Sequence, residues 1–200
     1  MATTQTELST KDRIFMTAAQ LFGTYGFERV SIRQICEEVG VGKPTLYYYF
    51  KDKETLLEEL IDYATRLGQK LLQEFLNPED DFHHRFLGII RTHQAYVKRY
   101  PYFIRFITML NLSALPDRIR QKMVMIHRNR YNQTRDFFQE GIQLGFIPRE
   151  VDLNVLIASF LGTINQLVFM DIFAPAEYQF DDNKVQHLYQ LWTQRIFNQS

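Results

Sequence analysis

The sequence holds one cysteine, Cys36, in 200 residues. A single thiol cannot close an internal disulfide or supply a cysteine-pair zinc site. Glycine and proline are sparse, at 9 and 6, and neither gathers into a low-complexity linker. No uninterrupted apolar run reaches the roughly 18 residues of a membrane span, so none is expected. The opening stretch MATTQTELST lacks the apolar centre of a secretory signal and reads as a short polar arm. HExxH, GxSxG and a glycine-rich phosphate loop are all missing, so no enzymatic activity and no cofactor are expected. Strand-like alternation of apolar and polar residues is missing too, which leaves helices to build the fold. A cytoplasmic location fits these absences.

The chain also lacks an excess of either charge, with 23 Lys/Arg against 23 Asp/Glu. A neutral total argues weakly against a nucleic-acid partner. It conceals a strong asymmetry, however. Residues 82–135 carry eleven basic side chains against Asp117 alone, while residues 55–81 carry two basic and seven acidic ones. Residues 1–54 are balanced at seven each, so any DNA affinity there must come from where the charges sit. Arg33, Lys43, Lys51 and Lys53 are the cations in question.

What is present is a dense helical pattern between Ser31 and Glu54, SIRQICEEVGVGKPTLYYYFKDKE. Ser31 and Gln34 form a capping-box start. Ile32, Ile35, Cys36 and Val39 then recur on one helical face. Gly40 stands where a left-handed C-cap is expected. Gly42 suits an N-cap, and Pro44 tolerates the first turn of a second helix. Leu46, Tyr49 and Phe50 share its inner face, and Asp52 caps the next helix. Two short helices across a glycine-bearing turn make a helix-turn-helix, whose second helix can enter the DNA major groove. Lys43, Thr45, Tyr47 and Tyr48 are left facing outward, flanked by Arg33 and Lys53. Arginine can read guanine, while lysine and tyrosine hydroxyls suit phosphates. The plainer alternative is an αα-hairpin with a tyrosine-rich packing face.

This stretch resembles the DNA-binding domain of the tetracycline-repressor (TetR) family of bacterial transcription regulators. The resemblance extends back through Ile14, Ala18, Ala19, Leu21, Phe22 and Gly26-Phe27, and forward through Gly40-Val41, Leu46-Tyr47, Tyr49-Phe50 and Lys53-Glu54. It covers about the first quarter of the chain. It implies that Arg33, Lys43, Pro44, Thr45, Tyr47 and Tyr48 face DNA and that Lys53 holds a phosphate. Gly42 departs from the serine cap frequent in the family, and Cys36 from a frequent alanine.

The rest of the chain predicts further helices. One runs from near Ser9 to Tyr25, with Ile14, Phe15, Ala18, Leu21 and Phe22 inward. Another starts at Asp52 and ends by Asn77-Pro78. Further helices run from the acidic Glu79-Asp80-Asp81 to Tyr100, from Tyr102 to about Leu112, from Pro116 to Leu144, from Asp152 to Phe173 and from Asp182 to Phe197. Ser113–Leu115 and Pro175–Phe180 read as loops. The expected fold is all-α, with about nine helices: a helix-turn-helix domain over residues 1–54 and a larger helical domain over residues 55–200.

In the larger domain, Tyr96, Phe103, Arg105, Phe106, His127, Phe137, Asn165, Gln166 and Phe169 are candidates for an effector site. Ordinary core packing is the alternative for each. Arg91, Arg105, Arg128 and Arg130, beside the aromatic runs, suggest an acidic or amphipathic effector. His83, His84, His93 and His127 have no metal-ligand spacing, and no metal is expected. The helix over Asp152–Phe173 is apolar on nearly every side, so one face can meet a partner. The resemblance implies a homodimer built on this helix and the last one, with Phe160, Leu167, Leu188, Trp192 and Ile196 at the interface. The reading is therefore a homodimeric repressor released from double-stranded palindromic operator DNA by a small molecule. Its rival is a helical scaffold or ligand-binding protein that no longer binds DNA.

Overall fold

A computed structural model describes residues 8–111, 114–174 and 178–197. Residues 1–7, 112–113, 175–177 and 198–200 lie outside the described residues, and with them most of the expected polar arm and parts of the two expected loops, Ser113–Leu115 and Pro175–Phe180. The described chain forms α1 (Thr10–Tyr25), α2 (Ile32–Val39), α3 (Lys43–Tyr49), α4 (Lys53–Phe75) and α5 (Phe82–Arg99), then α6 (Pro101–Asn111), α7 (Asp117–Gln143), α8 (Leu153–Phe173) and α9 (Asp182–Arg195). Six of these starts are fixed by a side chain that accepts a backbone N–H: Ser9, Ser31, Asp52, Asp81, Asp152 and Asp181. Such a cap is worth about 1 kcal/mol. That is why the local sequence places the boundaries so closely.

The helices divide into two compact units, and the division departs from the one expected at residue 54. The first unit comprises Met1–Arg66 and Tyr102–Leu115; the second comprises Leu67–Pro101 and Pro116–Ser200. Two features carry α4 and α6 into the first unit. Leu56, Leu57, Leu60 and Ile61 of α4 are fully buried, with Tyr63 4.9 Å from Phe15 of α1, centroid to centroid. On α6, Phe106 lies 6.2 Å from Phe22, and Phe103 lies 5.3 Å from Tyr63. Gly23 permits this approach. A Cβ there would meet the Phe106 backbone nitrogen at 3.1 Å, and Arg105 Nε donates to the Gly23 carbonyl at 3.1 Å.

In the second unit α5 packs on α8 and α9, and α7 packs on α8. Its core is largely aromatic. Phe82 stacks on Phe137 at 4.6 Å, Phe138 on Trp192 at 5.8 Å, and Phe86 meets Phe197 edge-on at 4.9 Å. Arg85 of α5 makes a two-pronged bond to Glu140 of α7, at 3.0 and 2.7 Å. Helix α8 has a mean hydropathy of 1.7 over its most apolar stretch, long and apolar enough by composition to cross a membrane. Its Leu156, Ile157, Phe160, Ile164 and Val168 are instead buried in this core.

Candidate nucleic-acid interface

The interface is built from the inside out. Ile35, Cys36 and Val39 bury the inner face of α2, and Leu46 and Phe50 bury that of α3. Gly40 turns the chain between them in the left-handed region, at φ 78°. A side chain disfavours that conformation. Arg13 of α1 donates to the Val39 carbonyl at the end of α2, which satisfies an orphan carbonyl and ties α1 to the turn. Gly42 caps α3 without a side-chain bond, and Pro44 sits in its first turn.

With Leu46 and Phe50 inward, the outer row of α3 is fixed by helical geometry. Lys43, Pro44, Thr45, Tyr47 and Tyr48 are all exposed, Tyr48 to 83%. Tyr49 is half-buried, with its ring edge-on to Tyr48 at 5.1 Å. The row combines a cation, a hydroxyl and two phenols on a helix that projects no acid. Acceptors on phosphates and base edges are what such a row can meet.

The two flanking cations are held at home. Arg33 is exposed, but its Nε donates to Glu37 at 2.7 Å. That bond keeps the guanidinium even more firmly protonated than usual. Lys53 places its ammonium 4.2 Å above the Phe27 ring and donates to the Glu28 carbonyl at 3.4 Å. Burial lowers its pKa, with the charge of Glu28 opposing the shift. Both contacts fix where the positive charges sit. The i, i+4 pairing of Arg33 with Glu37 was visible in the sequence; Phe27 beneath Lys53 was not, because it depends on tertiary packing.

The residues proposed for an effector site do not gather in one place. Phe103, Arg105 and Phe106 belong to the first unit and pack there on Tyr63, Gly23 and Phe22. Phe137 is part of the stacked aromatic core. Gln166 and Phe169 are exposed, and Phe169 lies against Phe173 at 4.8 Å. Tyr96, half-buried, and His127 and Asn165, both exposed, remain in the second unit. There Arg130 donates to Asn165 Oδ1 at 2.7 Å. Burial depresses the pKa of His93 and of His127, and the charge of Arg130 lowers both further. Arg130 is one of the four cations that the sequence points to for an acidic effector; His93, its neighbour here, reads in the sequence only as a histidine without metal-ligand spacing. A recess of about 400 Å³ elsewhere in this unit is lined by Val97, Lys98, Asp171 and Phe180 among others, and by none of the predicted residues. Among the described residues, no three His, Cys, Asp or Glu side chains are grouped to hold a metal.

The proposed interface residues need a similar correction. Phe160, Leu188 and Trp192 are 1%, 6% and 2% exposed. They pack inside the second unit, Phe160 edge-on to Trp192 at 5.4 Å. Leu167 and Ile196 are half-buried. The large apolar side chains left exposed on α8 and α9 are Val155, Phe169, Phe173 and Leu191.

Comparison with known proteins converges on this architecture. Residues 14–60 match the model for bacterial regulatory proteins of the tetR family. A fatty acid metabolism regulator protein of Bacillus subtilis is 25% identical over 158 residues, covering 78% of this chain and 80% of that protein. Two solved structures share the fold over 94% of this chain. One is a fatty acid degradation regulator from Bacillus halodurans, with a TM-score of 0.77 at 20% identity over 97% of that chain. The other is a transcriptional regulator from Saccharomonospora viridis in complex with choline, with a TM-score of 0.76 at 19% identity over 98% of that chain. With its helix-turn-helix at residues 32–49 inside the matched stretch, the chain is a DNA-binding transcriptional regulator whose residues 14–60 are the DNA-binding domain of the tetR family.

Proposed function

We propose that the protein is a cytoplasmic homodimeric repressor that leaves a near-palindromic operator when a small molecule binds its second unit. The observation that carries this reading is the outer row of α3. Lys43, Pro44, Thr45, Tyr47 and Tyr48 are free of core packing on a helix whose inner face is anchored by Leu46 and Phe50. In a two-fold dimer, two such helices sit about 34–36 Å apart, or a multiple, and enter successive major grooves. The effector acts through unequal affinity for the DNA-competent and DNA-incompetent arrangements. Helix α4 continues from the first unit into the second, so a change in the second unit has a stiff covalent route to the first. Two of the relatives are named for fatty acid metabolism or degradation, and an aliphatic acid is the first ligand to try.

The test begins with selection of bound sequences from random duplexes, then titration at several salt concentrations. Lys53→Ala is expected to weaken all DNA alike and to lower the salt slope by about one unit. Arg33→Ala is expected to cost about 1–3 kcal/mol and to relax preference at one base pair. A protein that enriches no sequence is the non-DNA-binding scaffold instead, and the repressor reading falls.

A further inference from the structure

Arginine stands half-buried on the inward stripe of α7. The inward stripe of that helix runs Ile119, Met123, Ile126, Arg130, Thr134, Phe137 and Gly141, each three or four residues from the last, and every one is buried or half-buried. The matching stripe of α5 runs Phe82, Phe86, Ile90, His93 and Val97. A cation and an imidazole thus stand where the pattern on either side supplies apolar groups. Arg130 donates to a neutral group, the amide oxygen of Asn165 on α8, at 2.7 Å. Among the described residues no carboxylate pairs with it, and burial alone displaces its pKa, downward. The other arginines of the basic middle differ. Arg91, Arg118, Arg120, Arg128 and Arg135 are exposed, Arg85 and Arg99 are paired with Glu140 and Glu74, and Arg105 serves the Gly23 carbonyl in the first unit.

Holding a charge part-buried without a counter-charge is costly, and an anion that reached Arg130 would offset that cost. The neighbours suit such an anion. His93 is held neutral by its surroundings and by Arg130, so it repels no anion and can donate one ring N–H. No acid interrupts α5 between Phe82 and Arg99, and α8 bears none before Asp171.

We propose that Arg130, with Asn165 and His93, anchors the anionic head group, carboxylate or phosphate, of a small-molecule effector in the second unit. The fork of the guanidinium takes two oxygens of such a group at once. The step from binding to operator release rests on the repressor reading; the head-group chemistry does not. The site also opposes a cationic ligand such as the choline held by the Saccharomonospora viridis protein.

The experiment uses the full chain. Thermal shifts are measured with saturated carboxylates from acetate to hexadecanoate, their methyl esters, decyl phosphate and choline. Operator release is measured with the same compounds. Some carboxylate or decyl phosphate is expected to raise the melting temperature, with the esters and choline inactive; whichever of the two anions acts at the lower concentration identifies the head group. Arg130→Met is expected to melt at the parent temperature or above without ligand, because it removes a half-buried charge with no carboxylate partner, and to bind the active anion about tenfold or more weakly. A structural arginine would give the reverse: a lower unliganded melting temperature and an undiminished anion shift. That result, equal shifts from acids and esters, or no shift from any anion overturns the proposal. A shift that depends on Arg130 but releases no DNA leaves the anion site standing and removes the repressor reading.

Discussion

The proton is unwelcome at His93. The protein closes around its imidazole, and the neighbouring guanidinium of Arg130 adds repulsion, so its pKa falls from 6.5 to about 3. The unfolded chain takes up a proton as the pH drops below 6.5, and the native protein does not. Stability is therefore fully present above about pH 6.5 and is lost progressively toward pH 3. At roughly 1.4 kcal/mol per unit of pKa, the fall between pH 7 and 5 is expected to be about 1–2 kcal/mol. His127, lowered by burial and by Arg130, adds a contribution of the same sign. Glu140 and Asp81, held low by hydrogen bonds to Arg85 and to the His84 backbone, act in the same direction but at more acid pH. Urea unfolding of the parent and of His93→Leu at pH 7 and pH 5 isolates the imidazole. A parent and variant that lose equal stability would refute the assignment. The signal for this site was present in the sequence as period: His93 and Arg130 fall on the inward stripes of their own helices. That the two stripes face the same region is a tertiary fact, and one-dimensional periodicity does not contain it.

At the scale of the element, caps and periodicity carried most of the information. Ser31 and Asp52 bond as the caps that the sequence predicted, and Ser9 and Asp81 cap helices expected to start beside them. The outward row of α3 is determined once Leu46 and Phe50 are placed inside. The partner of α6 was not legible, because an apolar face on Phe103, Phe106 and Leu110 says that the helix is covered but not by what. The one local trace was Gly23, a small residue on the inward side of α1 next to Phe22. Its missing side chain is where the α6 backbone passes, with the Phe106 nitrogen and Cα 3.1 and 3.3 Å from a Cβ placed there. Gly23→Ala asks α6 to retreat by a few tenths of an ångström, while Gly23→Val adds two methyl groups that backbone atoms cannot avoid. Overpacking of this kind costs about 1–3 kcal/mol. Unfolding midpoints are expected to fall in the order parent, Ala, Val. A valine variant as stable as the parent would mean that α6 does not pack there.

For the whole molecule, the question is what covers the outer side of α8. The helix is apolar all round, so its hydrophobic pattern has little phase, and sequence reasoning chose the wrong face in Phe160. The structure supplies the phase. Ile157, Phe160, Ile164 and Val168 point into the second unit, while Val155, Gly162 and Phe169, spaced by seven, lie on the opposite side with Ala158, Ser159, Gln166 and Phe173 beside them. Val155 and Phe169 are 61% and 38% exposed, and Leu191 on α9 is 52% exposed. Small residues among large ones let two such helices approach and interlock, and a second copy of the same face is the self-complementary partner that two-fold symmetry requires. The substitutions that test a dimer are therefore exposed ones. Val155→Glu and Phe169→Glu are expected to give monomers by light scattering at micromolar concentration, with helical circular dichroism unchanged. Trp192→Glu, by contrast, buries a carboxylate in the aromatic core and is expected to unfold the second unit. The monomeric variants keep the α3 row intact but lose its second copy, so affinity for a two-half-site operator should collapse toward that for a single half-site. A parent that scatters as a monomer, or glutamate variants that stay dimeric and hold the operator as tightly as before, would exclude α8 as the interface.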